Sequence, residues 1–152
     1  MTIAFSRTVL ATTWSVVVGI ALTAGMTGAQ AMSAYRWKKR PLVGFASNGR
    51  NAALARQWAI VNASAGGFWV RDIVVVYVIG ERVSVAFGGG PGPGAAALRQ
   101  PYGVNAGQFQ AVLVGKDGGS KLRSAQPISA RRLFGLIDAM LMRPQEMCRR
   151  ER

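Results

Sequence analysis

The sequence contains no histidine, a single cysteine and only six acidic residues among its 152 positions. Without histidine, neither a Ser-His-Asp triad nor a Cys-His pair can be assembled, and the commonest general base at neutral pH is missing. Metal sites built on imidazole or on several thiolates are excluded for the same reason. These absences argue against an enzyme, and they predict neither a metal site nor any other cofactor.

The single cysteine, Cys148, has no partner within the chain, so an internal disulfide cannot form. Arg149 and Arg150 follow it directly and favour its thiolate form. The hypothesis that Cys148 is a reactive thiol acting with a partner protein therefore remains open. The plainer interpretation is an inert cysteine in a basic tail, residues 148–152.

The six carboxylates are dispersed along the chain, with no pair at close spacing. They are Asp72, Glu81, Asp117, Asp138, Glu146 and Glu151. A pair of carboxylates acting as general acid and general base is therefore not indicated. Asp117 is accounted for by a turn, and Asp138 is expected to form a structural ion pair with an arginine.

The first 31 residues have the pattern of a secretory signal. One arginine, Arg7, precedes an apolar run over residues 9–26, and positions 29–31 read Ala-Gln-Ala, the form that signal peptidase cuts. Cleavage there predicts a periplasmic or secreted chain that starts at Met32 and has no stable membrane span. The alternative is an uncleaved anchor, because the apolar run is nearly long enough to cross a bilayer.

Basic residues dominate the charge. The whole chain has 19 lysines and arginines against 6 acidic residues, and removal of Arg7 leaves 18 against 6, a net charge of +12. A surface of this charge attracts polyanions over a Debye length of roughly 8–10 Å. For an exported protein this predicts an anionic envelope polymer or an acidic protein as partner and argues against nucleic acid. A solvated surface without a dedicated ligand is the alternative.

A strand and an amphipathic helix are predicted at the start of the mature chain. A basic linker, residues 32–41, leads into LVGFA, which has the composition of a strand, and then into the loop SNGRN. From Ala52 to about Asn62 the sequence predicts a helix capped by Asn51. Its apolar face is expected to carry Leu54, Trp58 and Val61. Gln57 is placed on the polar face.

A strand buried on both faces is predicted at residues 73–79. Their sequence, IVVVYVI, is apolar at every position, the pattern of a parallel sheet covered by helices. Gly66 and Gly67 are expected to end the helical region before it. The next stretch, ERVSVAF, either prolongs this strand or forms a short one. A Gly/Pro loop at residues 87–94 and a short helix that stops before Pro101 follow.

A hairpin and a helix complete the predicted fold. Residues 109–114 are predicted as a strand, Asp117-Gly118 as a tight type I′ turn and SKLRS as the returning edge strand. Ser129 is expected to cap a helix whose apolar residues recur at helical spacing as far as Leu141. The elements run β-α-β-α-β-β-α, which is the order of a three-layer thioredoxin-like α/β fold over residues 42–147.

Two kinds of site that glycine and this fold suggest do not match the residues present. GKDGGSK lies between two predicted strands, so it lacks the helix N-terminus of a phosphate-binding Walker loop. GPGPGA matches the spacing of the dinucleotide-binding motif G-x-G-x-x-A, but two of its positions are prolines, which have no N–H donor. Thioredoxins and peroxiredoxins carry their reactive cysteine in the loop after the first strand, here SNGRN, which has none. The stretch NAGQF also lacks their substrate-binding cis-proline. Thiol chemistry at that loop is excluded.

Five segments carry a family resemblance: YRWKKRPLVGFA, RDIVVVYVI, LRQPYGV, VLVGKDGGSKLR and LFGLIDAMLMRPQEM. They resemble a domain of unknown function found in short exported bacterial proteins. That domain is similar to segments of extracellular sushi-repeat-containing proteins and of a coiled-coil-domain-containing matrix protein of animals. The resemblance covers roughly residues 35–147 and implies a thioredoxin-like, peroxiredoxin-related fold without an established catalytic role. Leu141 stands where the family usually has proline. Because leucine does not interrupt a helix, we expect the last helix to continue to Arg143.

The candidate site follows from the resemblance and the charge together. Lys116, Asp117, Asp138, Arg143 and Glu146 match motif positions of the family. Lys121 and Arg123 add basic charge to the hairpin, so these seven residues are the predicted ligand-binding residues of a non-catalytic binding module. The alternative function is an oxidoreductase-related protein that acts with a partner through Cys148. A purely structural role, with Met140, Met142 and Met147 as a contact surface, is a third hypothesis.

Overall fold

A five-stranded mixed sheet organises the chain in a computed structural model that describes residues 32–90, 92–105, 107–140 and 148. The strands are β1 (Arg40–Ala46), β2 (Ile73–Ile79), β3 (Arg82–Phe87), β4 (Gln110–Val114) and β5 (Ser120–Ser124). The helices are α1 (Ala52–Ala63), α2 (Ala65–Val70), α3 (Ala95–Tyr102) and α4 (Ala130–Asp138). A short 3₁₀ turn, Ser33–Tyr35, precedes β1.

The strands lie in the order β3-β2-β1-β4-β5. β1 and β2 are parallel, whereas the other three neighbouring pairs are antiparallel. This mixed α/β architecture confirms the predicted fold class and is compatible with a thioredoxin-like α/β fold. ERVSVAF forms the short additional strand β3, which pairs with β2 at one edge, and SKLRS is β5 at the other edge, as predicted.

Two hydrophobic layers cover the sheet, one on each face. Alternate residues of a strand point to opposite faces, so Leu42 joins the layer under α1, α2 and α4, while Val43 and Phe45 join the layer under α3. In β2, Val75 and Tyr77 face the first layer. Both central strands are therefore buried on two sides, which is why their sequences are apolar at nearly every position.

Residues 32–41, interpreted above as a linker, pack against the sheet. Met32 and Tyr35 are buried in the layer that contains α3. Arg40 and Pro41 are the first two residues of β1 and are buried as well. The basic residues between them stay at the surface while the two apolar side chains anchor the segment, so it belongs to the folded domain.

The N-terminal helical region differs from the prediction in two ways. Gly66 and Gly67 lie inside α2 and do not end the region. A Cβ on Gly67 would lie 2.6 Å from the Phe134 ring, so glycine here permits close packing of α2 on α4. Asn51 caps α1 as predicted, accepting hydrogen bonds from the N–H groups of residues 53 and 54.

Gln57 and Trp58 exchange their predicted environments. Gln57 is fully buried, because its side-chain amide bonds to the backbone of Ile128: Nε2 donates to the carbonyl oxygen at 3.2 Å, and Oε1 accepts from the N–H at 2.7 Å. Trp58 is 38% exposed. A polar side chain is stable in the core when its donors and acceptors are all matched, and periodicity alone does not show this.

Two turns also correct the predictions. Pro101 lies inside α3, which continues to Tyr102 and ends where Gly103 adopts a left-handed conformation with φ 58°. The hairpin turn is not type I′, because Gly118 has a positive φ of 87° and Asp117 has not. Gly115 N–H donates to Gly119 at 2.8 Å across a three-residue loop, and the ladder shifts register beside it. These features fit a type I turn followed by a left-handed glycine.

The last helix starts as predicted and ends earlier. Ser129 caps α4 by accepting a hydrogen bond from the N–H of Arg132. The helix ends at Asp138 and Met140 lies in the turn after it, so the predicted extension fails there; Leu141 and Arg143 lie outside the described residues. In the part of the chain that the structure describes, no helix has the length and apolar character needed to cross a membrane.

The buried amide of Gln57 generates a stability prediction. Gln57→Leu leaves the N–H and carbonyl of Ile128 without their partner in the core, so we expect the free energy of unfolding to fall by about 2–4 kcal/mol. Urea unfolding followed by circular dichroism measures this. Asn62→Leu, at an exposed position of the same helix, is the control. An unchanged midpoint for Gln57→Leu would contradict the assigned role of the amide.

Candidate functional site

A cleft lies at the end of the sheet where β1 begins and β4 ends. It has a volume of about 410 Å³. Its lining residues are Arg40, Gly115, Lys116, Asp117, Lys121, Leu136, Ala139 and Met140. Cationic side chains thus share the walls with apolar residues from the end of α4. We call this feature the basic cleft.

Arg40 contributes a buried cation to the cleft. Its backbone N–H donates to the carbonyl of Asp72 at 2.8 Å, and its Nη1 donates to the carbonyl of Arg71 at 3.0 Å. Both acceptors belong to the residues immediately before β2. The start of β1 is therefore tied to the start of β2 by backbone and side chain together.

Asp72 lies between two lysines. Its Oδ2 is 2.9 Å from Nζ of Lys116, and its Oδ1 is 3.9 Å from Nζ of Lys39. The Lys116 side chain is only 8% exposed, so little water can solvate its ammonium group. The carboxylate of Asp72 takes the place of that water as the stabilising partner. Asp72 has a left-handed backbone with φ 54°, a conformation that aspartate tolerates better than most residues.

The hairpin turn adds a second ion pair. Lys121 Nζ lies 2.6 Å from Oδ2 of Asp117, whose Oδ1 accepts from the N–H of Gly119 at 3.2 Å. The hydrogen bond from Lys121 is the largest influence on Asp117, and it holds the pKa of that carboxyl below its ordinary value. Arg36 Nε donates to the carbonyl of Asp117 at 3.2 Å, which places a further cation at the rim of the cleft.

Asp138 forms the structural ion pair that the sequence predicts. Nε and Nη2 of Arg71 donate to its two carboxylate oxygens at 3.0 and 2.6 Å. The same guanidinium lies 4.2 Å from the centroid of the Phe134 ring, and its Nη1 donates to the carbonyl of Gly67. This bidentate pair joins the end of α4 to the turn before β2, directly beside the basic cleft.

The structure brings together some of the predicted site residues and separates others. Lys116, Asp117 and Lys121 line the basic cleft, and Asp138 precedes Ala139 in its wall. Arg123 points to the other face of the sheet, where Nη1 donates to the carbonyl of Tyr102 at 3.0 Å. Arg143 and Glu146 lie outside the described residues. Cys148 is an exposed free thiol.

Sequence reasoning missed the residues shortly before β1 and β2 and the first residue of β1. These are Arg36, Lys39, Arg40, Arg71 and Asp72. A usable signal was present, because the starts of neighbouring parallel strands meet at the same edge of a sheet. The stretches YRWKKR and RD each precede a strand, so the parallel prediction alone would have placed their charges together.

The opposite end of the sheet has different chemistry. The loop after β1 consists of residues 47–51. A second cavity of about 320 Å³ lies beside this loop, lined by Gly49, Leu54, Ala55, Trp58, Tyr77 and Ala86. Burial raises the pKa of the Tyr77 hydroxyl, so this group stays protonated at physiological pH. The residues that line this second cavity carry no charged side chain, in contrast to those of the basic cleft.

A family model described as a domain of unknown function, DUF4174, matches residues 31–146. The chain belongs to this family. The match spans both strand starts, the hairpin and α4, so the described walls of the basic cleft all lie within the DUF4174 domain. No solved structure matches the chain.

The pair of Lys116 and Asp72 generates a second prediction. Asp72→Asn keeps a residue that tolerates the left-handed backbone but removes the charge that faces Lys116, and we expect a loss of about 3 kcal/mol in unfolding free energy. Lys116→Met in the same chain removes the buried charge and is expected to recover part of that loss. A double-mutant cycle by urea unfolding measures the coupling. Strictly additive effects would contradict a direct pair.

The pair of Lys121 and Asp117 generates a prediction on pH. Since the folded pKa of Asp117 is lowered, the pair stabilises the fold above the unfolded pKa, about pH 4, and this contribution is lost as pH falls through the folded pKa. Lys121→Met should raise the Asp117 pKa towards its ordinary value. Carboxyl titration by NMR measures it. Arg123→Met, on the other face, is the control and should leave the titration unchanged; an unchanged Asp117 pKa in Lys121→Met would contradict the assignment.

Proposed function

We propose that this DUF4174 domain is an exported, non-catalytic binding module that holds an anionic envelope polymer or an acidic protein at the basic cleft. The observation that carries the proposal is the charge balance of the cleft and its rim. Six basic side chains converge there with three carboxylates: Arg36, Lys39, Arg40, Arg71, Lys116 and Lys121 with Asp72, Asp117 and Asp138. Three positive charges remain in excess, which favours an anionic partner.

The state of the carboxylates supports binding over acid catalysis. Each of the three is within 2.9 Å of a lysine or arginine nitrogen. The hydrogen bond from Lys121 lowers the pKa of the Asp117 carboxyl, so Asp117 is a poor proton donor near neutral pH. The carboxylates instead hold the cations in place.

The lining of the basic cleft supports a partner that is both charged and apolar. Leu136, Ala139 and Met140 form the apolar part of the lining, which they share with the cationic residues of the hairpin. A partner with both a charged group and an apolar surface can therefore contact both parts of the lining. The proposal of export rests on the signal-like N-terminus, and it places the partner among the anionic molecules outside the cytoplasm.

The test is binding of the full-length protein to polygalacturonate and to polyglutamate across a salt series. We expect binding that weakens steeply as salt rises. The variant Arg36→Gln/Lys121→Gln removes two charges at the cleft, each worth on the order of 1 kcal/mol, so binding should weaken by roughly tenfold or more.

The matched control is Arg50→Gln/Arg56→Gln. It removes the same charge from exposed positions in the loop after β1 and in α1. If the two variants lose affinity equally, the net charge attracts the polymer and the basic cleft is not its site. If the unaltered protein binds neither polymer at low salt, the proposed function fails. Thermal unfolding of each variant checks that the fold is retained.

A further inference from the structure

Two tryptophans are unusually exposed near the basic cleft. Trp37 is 60% exposed and Trp69 is 64% exposed. Tryptophan is highly buried on average, because its ring is the largest apolar surface of any side chain. Trp37 lies in the segment before β1, and Trp69 lies in α2, shortly before β2. Both therefore belong to the end of the sheet where the basic cleft is found.

Direct contacts connect both tryptophans to residues that shape the cleft. The backbone N–H of Trp37 donates to the carbonyl of Lys116 at 2.7 Å. Nζ of Lys39 lies 5.5 Å from the centroid of the Trp69 ring and 3.9 Å from Asp72, the partner of Lys116. The Trp69 ring thus lies beside the ion pairs that shape the cleft, and the Trp37 backbone is bonded to the hairpin that carries Lys116.

Each tryptophan also has a cation beside its ring. The Arg36 guanidinium carbon lies 5.9 Å from the Trp37 centroid, and Lys39 occupies the corresponding position at Trp69. These distances are within the range of cation–π attraction. Each tryptophan residue is nevertheless more than half exposed. The same pair, an aromatic ring with a cation, therefore occurs at Trp37 and again at Trp69.

Backbone strain marks the same place. Among the described residues, Trp37 and Asp72 alone combine a side chain with a left-handed backbone, at φ 63° and 54°. For a bulky residue such as tryptophan this conformation is sterically unfavourable. Strained residues of this kind concentrate at ligand-binding positions, where the surroundings hold them in place.

We propose that Trp37 and Trp69 are stacking platforms for the sugar rings of an anionic polysaccharide whose acidic groups bind the adjacent cations. The inference rests on the proposed function and selects among its partners. An aromatic face carries negative charge, which attracts the partially positive C–H groups of a flat sugar ring. Each sugar of a uronic acid chain carries one carboxylate, so such a chain supplies a ring together with a negative charge, which matches a tryptophan with a cation at its ring. An acidic polypeptide offers the charges without the rings.

The test compares polygalacturonate with polyglutamate of similar charge density, using the full-length protein. Trp37→Leu and Trp69→Leu keep an apolar side chain but remove the flat aromatic face. Each is expected to weaken polygalacturonate binding by about five- to tenfold, since an aromatic contact of this kind is worth about 1 kcal/mol. Polyglutamate binding should be unchanged. Trp37→Tyr and Trp69→Tyr restore an aromatic face and should recover most of the affinity.

Trp58→Leu is the matched control, because Trp58 is partly exposed but lies against Tyr77 at the other cavity. It should leave the binding of both polymers unchanged. Equal losses for polygalacturonate and polyglutamate in the cleft-side leucine variants would overturn the stacking inference, as would full retention of polygalacturonate binding. In both cases the proposed function stands if Arg36→Gln/Lys121→Gln still weakens binding.

An anionic bilayer is the competing partner for exposed tryptophans beside lysines. Vesicles of phosphatidylglycerol and phosphatidylcholine test it. Tighter binding to these vesicles than to polygalacturonate, with a blue shift of tryptophan emission that the leucine variants lose, would overturn the polysaccharide inference. Weak vesicle binding that is insensitive to the leucine substitutions supports it.

Discussion

The parallel pairing of β1 with β2 is the constraint on which the candidate site depends. Its register aligns Arg40 with Ile73, so the residues before each strand meet at one edge of the sheet. There the N–H of Arg40 donates to the carbonyl of Asp72. A shift of one residue would move Val43 and Phe45 to the wrong hydrophobic layer, and the two layers therefore lock the register that assembles the basic cleft.

Asp72 has the central electrostatic position in that assembly. Its carboxylate faces Lys116 of the hairpin and Lys39 of the N-terminal segment, while its carbonyl accepts from β1. Three parts of the chain that are distant in sequence are thus joined through one residue. A buried lysine needs a nearby carboxylate. The ion pairs of Asp72 therefore compensate part of the positive charge at the cleft. The remaining positive charge faces solvent at the rim.

Local signals predict much of the fold. Asn51 and Ser129 cap their helices through bonds to N–H groups two or three residues away, and the apolar run of β2 reports burial on both faces. The errors have a different origin. The burial of Gln57 depends on Ile128, 71 positions further on, and an Asp-Gly pair suits a two-residue and a three-residue turn alike, so only the register of β4 on β5 decides between them.

In the candidate site, too, local features could be predicted from the sequence and contacts between distant residues could not. The ion pair of Asp138 was predictable in kind, yet the choice of Arg71 as partner requires the packing of α4 on α2. Arg123 was expected beside Lys121, but Arg123 turns to Tyr102 on the other face. Near neighbours in sequence were thus separated, whereas distant residues were brought together.

The two ends of the sheet differ in how their polar groups are used. In the loop after β1, Asn51 caps α1 and Asn48 accepts from the N–H of Arg50, so these amides satisfy the local backbone. At the start of β1 the side chains bond across elements and leave cations and tryptophan rings at the surface. These bonds between elements hold the cations of the basic cleft in fixed positions, next to the exposed tryptophan rings.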